Sequence, residues 1–139
     1  MDEAKQEETE QWLSKSQQDL EVAKILLQHG ISYTGIAVYH CQQSVEKALK
    51  GYLTAKGTVF PKTHDLVALL ELCMAVALEF DQWKTAARLL TPYATEFRYP
   101  TGTVEPTYQE AGQAVEMADS FMQFVVLMVL KHNEEDSLS

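Results

Sequence analysis

Glycine and proline are scarce in this sequence, six and four among 139 residues. That excludes collagen-like and low-complexity chains and leaves few helix breakers. Only two cysteines occur, Cys41 and Cys73, each inside an apolar helical pattern. They lack the spacing of a metal knuckle or a disulfide framework and read as reduced thiols of a cytoplasmic protein. Positive charge is short too: 11 Lys and Arg against 20 Asp and Glu, a formal net charge of −9. That argues against non-specific binding to nucleic acid or to a membrane, both of which need a positive field. The longest apolar run, residues 121–130, is too short to span a bilayer. The start, Met1-Asp2-Glu3-Ala4, has no basic or apolar leader, so no signal peptide is expected. There is no Gly-rich phosphate loop, nucleophile elbow, paired-Cys motif or His pair at i, i+4. The four histidines, His29, His40, His64 and His132, are scattered, so neither a metal nor a cofactor is expected.

What the chain does have is helical periodicity. Apolar residues make up 46% and charged ones 22%, enough for one self-sufficient core at this length. A single domain is expected over residues 1–131, with a frayed polar tail at 132–139. Five segments follow the 3.6-residue period. The first, about residues 7–29, carries the stripe Leu13, Ser16, Leu20, Ala23, Leu27, flanked by Trp12, and ends at Gly30. The second, about 33–56, carries Ala37, Cys41, Val45, Ala48, Tyr52, Ala55, with Gly51 inside it marking close packing. The third spans about 63–78 with Thr63 as N-cap, and the fourth about 81–97. The fifth opens on a capping box, Thr107 to Glu110. Short connections between long amphipathic helices predict an all-α fold, an up-and-down bundle of four to five antiparallel helices. The run at 121–130 is apolar around its whole circumference, which predicts a twofold homodimer partly through this last helix or, alternatively, a central helix surrounded on every side.

Charge is uneven along the chain. Between Lys47 and His64 stand four lysines and no carboxylate. His40, Gln43, Lys47, Lys50 and Thr54, spaced three and four apart, share one polar face of the second helix. Such a face suits a phosphate-bearing ligand, because lysine supplies point-charge recognition; the alternative is a solvated face balanced against acidic helices. His64, at the start of the third helix and directly before Asp65, is a candidate proton acceptor facing its positive end. Arg98 and Tyr99 precede Pro100, and an arginine on a rigid loop can clamp a phosphate through two parallel hydrogen bonds.

Four stretches together resemble the prokaryotic HEPN domain: WLSKSQQDLEVAKILL, YTGIAVYHCQQSVEKALKGYL, KTHDLVALL and EFRYPTG. The sharpest parts are the run from Ala37 to Lys50, the step Thr63-His64-Asp65-Leu66, and Arg98-Tyr99-Pro100. The resemblance implies a helical bundle, a homodimer, and a place beside a minimal nucleotidyltransferase as the toxin half of a toxin–antitoxin pair. It also implies metal-independent RNase activity where an Arg is followed, after four to six residues, by a His. No His stands at that distance after Arg98 or Arg88. The expectation is therefore a module that binds a nucleotide, RNA or a nucleotidyltransferase through Arg98, Tyr99, His64, Lys47, Lys50 and His40. An RNase whose acid/base is a differently placed His, and a purely structural homodimerisation module, are the alternatives.

Overall fold

A computed structural model describes residues 2–97 and 104–138. The described residues are all-helical: α1 (Glu3–Gln28), α2 (Thr34–Ala55), α3 (Leu66–Val76), α4 (Lys84–Leu90) and α5 (Tyr108–Leu138), with 3-10 turns at Ile31–Tyr33, Leu78–Trp83 and Thr91–Ala94. α2 is the centre, packed on α1, α5 and α3. Its expected stripe is the core: Ala37, Cys41, Val45, Ala48, Tyr52 and Ala55 are all buried.

α1 starts four residues ahead of the sequence expectation. Asp2 caps it, accepting from the Lys5 N–H at 2.7 Å, and Glu3 adds negative charge to the first turn. The helix ends at Gln28, and two residues on the chain turns away through Gly30, whose φ of 88° only glycine adopts without strain. α1 returns antiparallel along α2. The small Ser16 allows close approach, its hydroxyl donating to the Ser44 carbonyl at 2.6 Å.

Gly51 lies where a Cβ would come within 3.2 Å of both the Leu13 Cδ2 and the Trp12 Cβ. The crossing of α1 and α2 therefore depends on its missing side chain. Gly51→Leu is expected to lower stability by about 1–3 kcal/mol through overpacking. In Gly51→Ala the gain in helix propensity, about 1 kcal/mol, offsets the crowding. Urea unfolding of both variants checks this; a leucine variant as stable as wild type contradicts it.

Two expectations about helix limits change. Asp65, not Thr63, caps α3: its carboxylate accepts from Val67 N–H at 2.9 Å and Ala68 N–H at 3.4 Å. The Thr63 hydroxyl instead accepts the Asp65 N–H at 3.1 Å. The segment 81–97 is not one helix. Pro92 has no N–H for the ladder and its ring crowds the preceding turn, so α4 stops at Leu90 and a 3-10 turn follows. Thr91 repairs the break, its hydroxyl donating to the Ala87 carbonyl at 2.7 Å and accepting the Leu66 N–H at 3.1 Å.

α5 opens on the expected capping box: Thr107 N–H to Glu110 Oε1 at 2.9 Å, and Glu110 N–H to Thr107 Oγ1 at 3.0 Å. The backbone N–H of Thr107, with its hydroxyl, holds the Glu110 carboxyl below its ordinary pKa. The helix then continues through the polar residues to Leu138. By length and composition α5 is apolar enough to cross a membrane. Here Ala111, Ala118, Phe121, Val125 and Val129 are buried in the helical core. Leu127 and Leu130 of the all-round apolar run stay exposed, at 64% and 52%. An aromatic row joins α2, the turn at 78–83 and α5: Tyr52 and Phe80 centroids lie 4.7 Å apart, Phe80 and Phe124 5.1 Å, and Trp83 stacks on Phe121 at 4.7 Å.

Candidate functional site

The polar side of α2 is not a row of lysines standing in water. Gln42, Gln43, Ser44, Glu46 and Lys50 are all buried, and two carboxylates organise them and their neighbours. Asp19 of α1 receives Lys47 Nζ at 2.6 Å and faces His40 Nδ1 at 2.8 Å. Glu46 of α2 binds Lys50 Nζ through one oxygen at 2.9 Å and His64 Nδ1 through the other at 2.7 Å. Gln42 Nε2 donates to the His64 carbonyl at 2.8 Å and to Glu46 at 3.2 Å, and Gln43 Nε2 to the Gln42 side-chain oxygen at 2.7 Å.

Each buried charge is thus paired, which the low dielectric of an interior demands. His64 is fixed differently from its sequence expectation. Its ring meets Glu46, while the amides at the start of α3 are taken by Asp65. The His64 side chain nevertheless stays 61% exposed. With Nδ1 held by a buried carboxylate, the opposite nitrogen, Nε2, points away from that bond and has no hydrogen-bond partner among the described residues. Such a carboxylate–imidazole pair sets ring orientation, as in oriented general bases.

Of the sequence-predicted residues, His40 and Lys47 come together on Asp19, and Lys50 and His64 on Glu46. Arg98 and Tyr99 lie outside the described residues. Sequence reasoning missed Asp19, Glu46 and Gln42 as the partners that organise the others. The signal for two of them was present in the motif run from Ala37 to Lys50, which holds both Gln42 and Glu46.

Burial alone would raise the Asp19 carboxyl, but hydrogen bonds from His40 and Lys47 and the Lys47 charge outweigh it and hold the group below its ordinary pKa. A carboxyl lower when folded than when unfolded stabilises the fold above the unfolded value, about 3.9, and that contribution is lost as pH falls from there through the folded value. Urea midpoints are expected to drop below about pH 4, with a shallower drop in Asp19→Asn. An identical acid slope in both proteins contradicts the pairing.

Other chemistry has little footing. Burial pushes the thiols of Cys41 and Cys73 up to about 12, far from nucleophilic at neutral pH. Among the described residues no group of three or more His, Cys, Asp or Glu is placed to hold a metal ion.

Comparison with known proteins follows this geometry. The family model described as "HEPN domain" matches residues 9–132. A Methanocaldococcus jannaschii protein named "Putative toxin MJ1304" is 33% identical over 81 residues, covering 58% of this chain; the chain spans about half of that relative, 51% of its length. The crystal structure of TT1696 from Thermus thermophilus superposes with a TM-score of 0.70 at 28% identity, covering 84% of this chain and 94% of the other. That of ST0689, an archaeal HEPN homologue, gives 0.67 at 24% identity over 87% and 97%, a likeness of fold.

Proposed function

The chain belongs to the HEPN domain family, and from that membership we propose that it is a toxin-like HEPN module that binds a nucleotide or RNA along the polar side of α2. The observation that carries this is the exposed His64 imidazole held by the buried Glu46, with Lys47 and His40 further along the same helix. In a protein of net charge −9, two lysines and two histidines share two carboxylates here: His40 and Lys47 on Asp19, Lys50 and His64 on Glu46. The similarity to a protein named as a toxin supports the toxin-like reading. The finer reading adds a nucleotidyltransferase partner in the antitoxin role, a cytoplasmic setting in which Cys41 and Cys73 stay reduced, and a homodimer. Exposed Leu127 and Leu130 on α5 supply an apolar contact for the second copy.

Calorimetric titration with ATP, GTP and a short single-stranded RNA tests the binding. At least one is expected to bind, more weakly as salt rises, and less well to Lys47→Ala. If none of the three binds, and no partner is retained in a pull-down, the reading is wrong.

A second reading is favoured by the Glu46–His64 geometry: metal-independent RNA cleavage with His64 Nε2 as acid/base. The missing His after Arg98 removes the usual family signature, so His64 would have to replace it. Cleavage of total RNA in chelator that vanishes in His64→Ala supports this reading; intact RNA leaves the module as a binder.

A further inference from the structure

Beside the Glu46–His64 pair, at the edge of the same polar layer, lies Trp12. Its indole is half-buried between α1 and the loop that leads to α3. The Phe60 ring meets it edge-on with centroids 6.3 Å apart, and Lys50 Nζ stands 5.7 Å from its centroid. Lys50 is itself buried and bound to Glu46, so it holds the inner side of the ring. A hollow of about 300 Å³ opens here, lined by Glu8, Gln11, Trp12 and Lys15, which recur at helical spacing along one face of α1.

We propose that this hollow is a nucleobase subsite selective for guanine, with Trp12 as the stacking surface. This rests on the reading that the chain binds a nucleotide or RNA, and it names the base and the place. An aromatic face stacks any base. Selection comes from the rim. Guanine presents two N–H donors side by side on its pairing edge, N1–H and the N2 amino group, which a carboxylate accepts together; Glu8 supplies it. Gln11 Nε2 can donate to the neighbouring O6. Adenine carries an unprotonated N1 at that edge, which a carboxylate repels. Lys15, one turn beyond Gln11 on the same face, supplies a cation for a phosphate. The indole, Lys50, Glu46 and His64 form an unbroken chain of contacts.

Guanosine 5′-monophosphate, adenosine 5′-monophosphate and a guanine-free oligouridine are the probes, read by tryptophan fluorescence in a Trp83→Phe background that leaves Trp12 as the only indole. The guanine nucleotide is expected to quench Trp12 saturably and to bind at least tenfold tighter than the adenine one. Trp12→Leu, followed by calorimetry, is expected to lose tenfold or more. The exposed Glu8→Gln, which leaves the core untouched, is expected to erase the preference for guanine. Equal affinity for the two nucleotides, or guanine binding unchanged by Trp12→Leu or Glu8→Gln, overturns the subsite. If oligouridine binds with equal affinity to wild type and Trp12→Leu while guanosine monophosphate does not bind, the subsite is wrong and the RNA reading stands. If no probe binds any variant, the subsite is wrong, and the binding reading falls with it only if ATP, GTP and the pull-down also give nothing.

Discussion

Replacing Glu46 with alanine is expected to destabilise the protein by about 3–5 kcal/mol, the range for stripping one partner from a buried ion pair. The carboxylate is 5% exposed and Lys50 10%, so water cannot take over. Truncation strands the ammonium against Trp12 and Phe60, whose faces attract a cation too weakly to replace a carboxylate. It also frees His64 and removes an acceptor from Gln42, so the loop ahead of α3 loses its tie to α2. The double variant Glu46→Leu/Lys50→Met, with no charge left to strand, is expected to recover most of that loss. Chemical denaturation of wild type, single and double variants measures it. A single variant within about 1 kcal/mol of wild type would mean that Glu46 and Lys50 are solvated after all.

Phe80→Ala is expected to produce a loss of similar size for a different reason. Phe80 is fully buried in the turn at Leu78–Trp83, between Tyr52 of α2 and Phe124 of α5. Removing the ring opens a cavity where three elements meet, at about 3–5 kcal/mol. For a chain of this length that lowers Tm by on the order of 10 °C. Phe80→Leu, which keeps most of the volume, is expected to lose much less. Thermal unfolding by circular dichroism separates the two; equal shifts would show that the site collapses around either side chain.

The register of α2 was legible because one stripe at spacings of three and four runs the whole helix and is buried throughout. The capping box at Thr107 and the close approach at Gly51 were legible because each needs only local chemistry. The fourth segment misled because its apolar spacing continues through Pro92, while the missing N–H of that residue decides where the helix ends. The charged face misled for a sharper reason. A window that begins at Lys47 starts one residue past Glu46, the carboxylate that neutralises Lys50. Asp19 lies 28 residues from Lys47 and on another helix, so no local pattern joins them. The two stretches holding Glu46 and His64 belong to one motif set, and the structure supplies the physical reason: they close on each other through a hydrogen bond of 2.7 Å. Trp12 counted as the flank of a core stripe, since whether an indole lies inside or at the rim depends on the loop from Gly57 to Asp65 that covers it.

Hydrogen–deuterium exchange with and without a saturating guanine-containing single-stranded RNA tests the central claim most directly, because it reports where the ligand sits along the chain. Added protection is expected at residues 9–16, 40–50 and 57–65, the three stretches that meet at Glu46, His64 and Trp12. Protection confined to α5, or uptake unchanged everywhere, would contradict a binding surface on the polar side of α2.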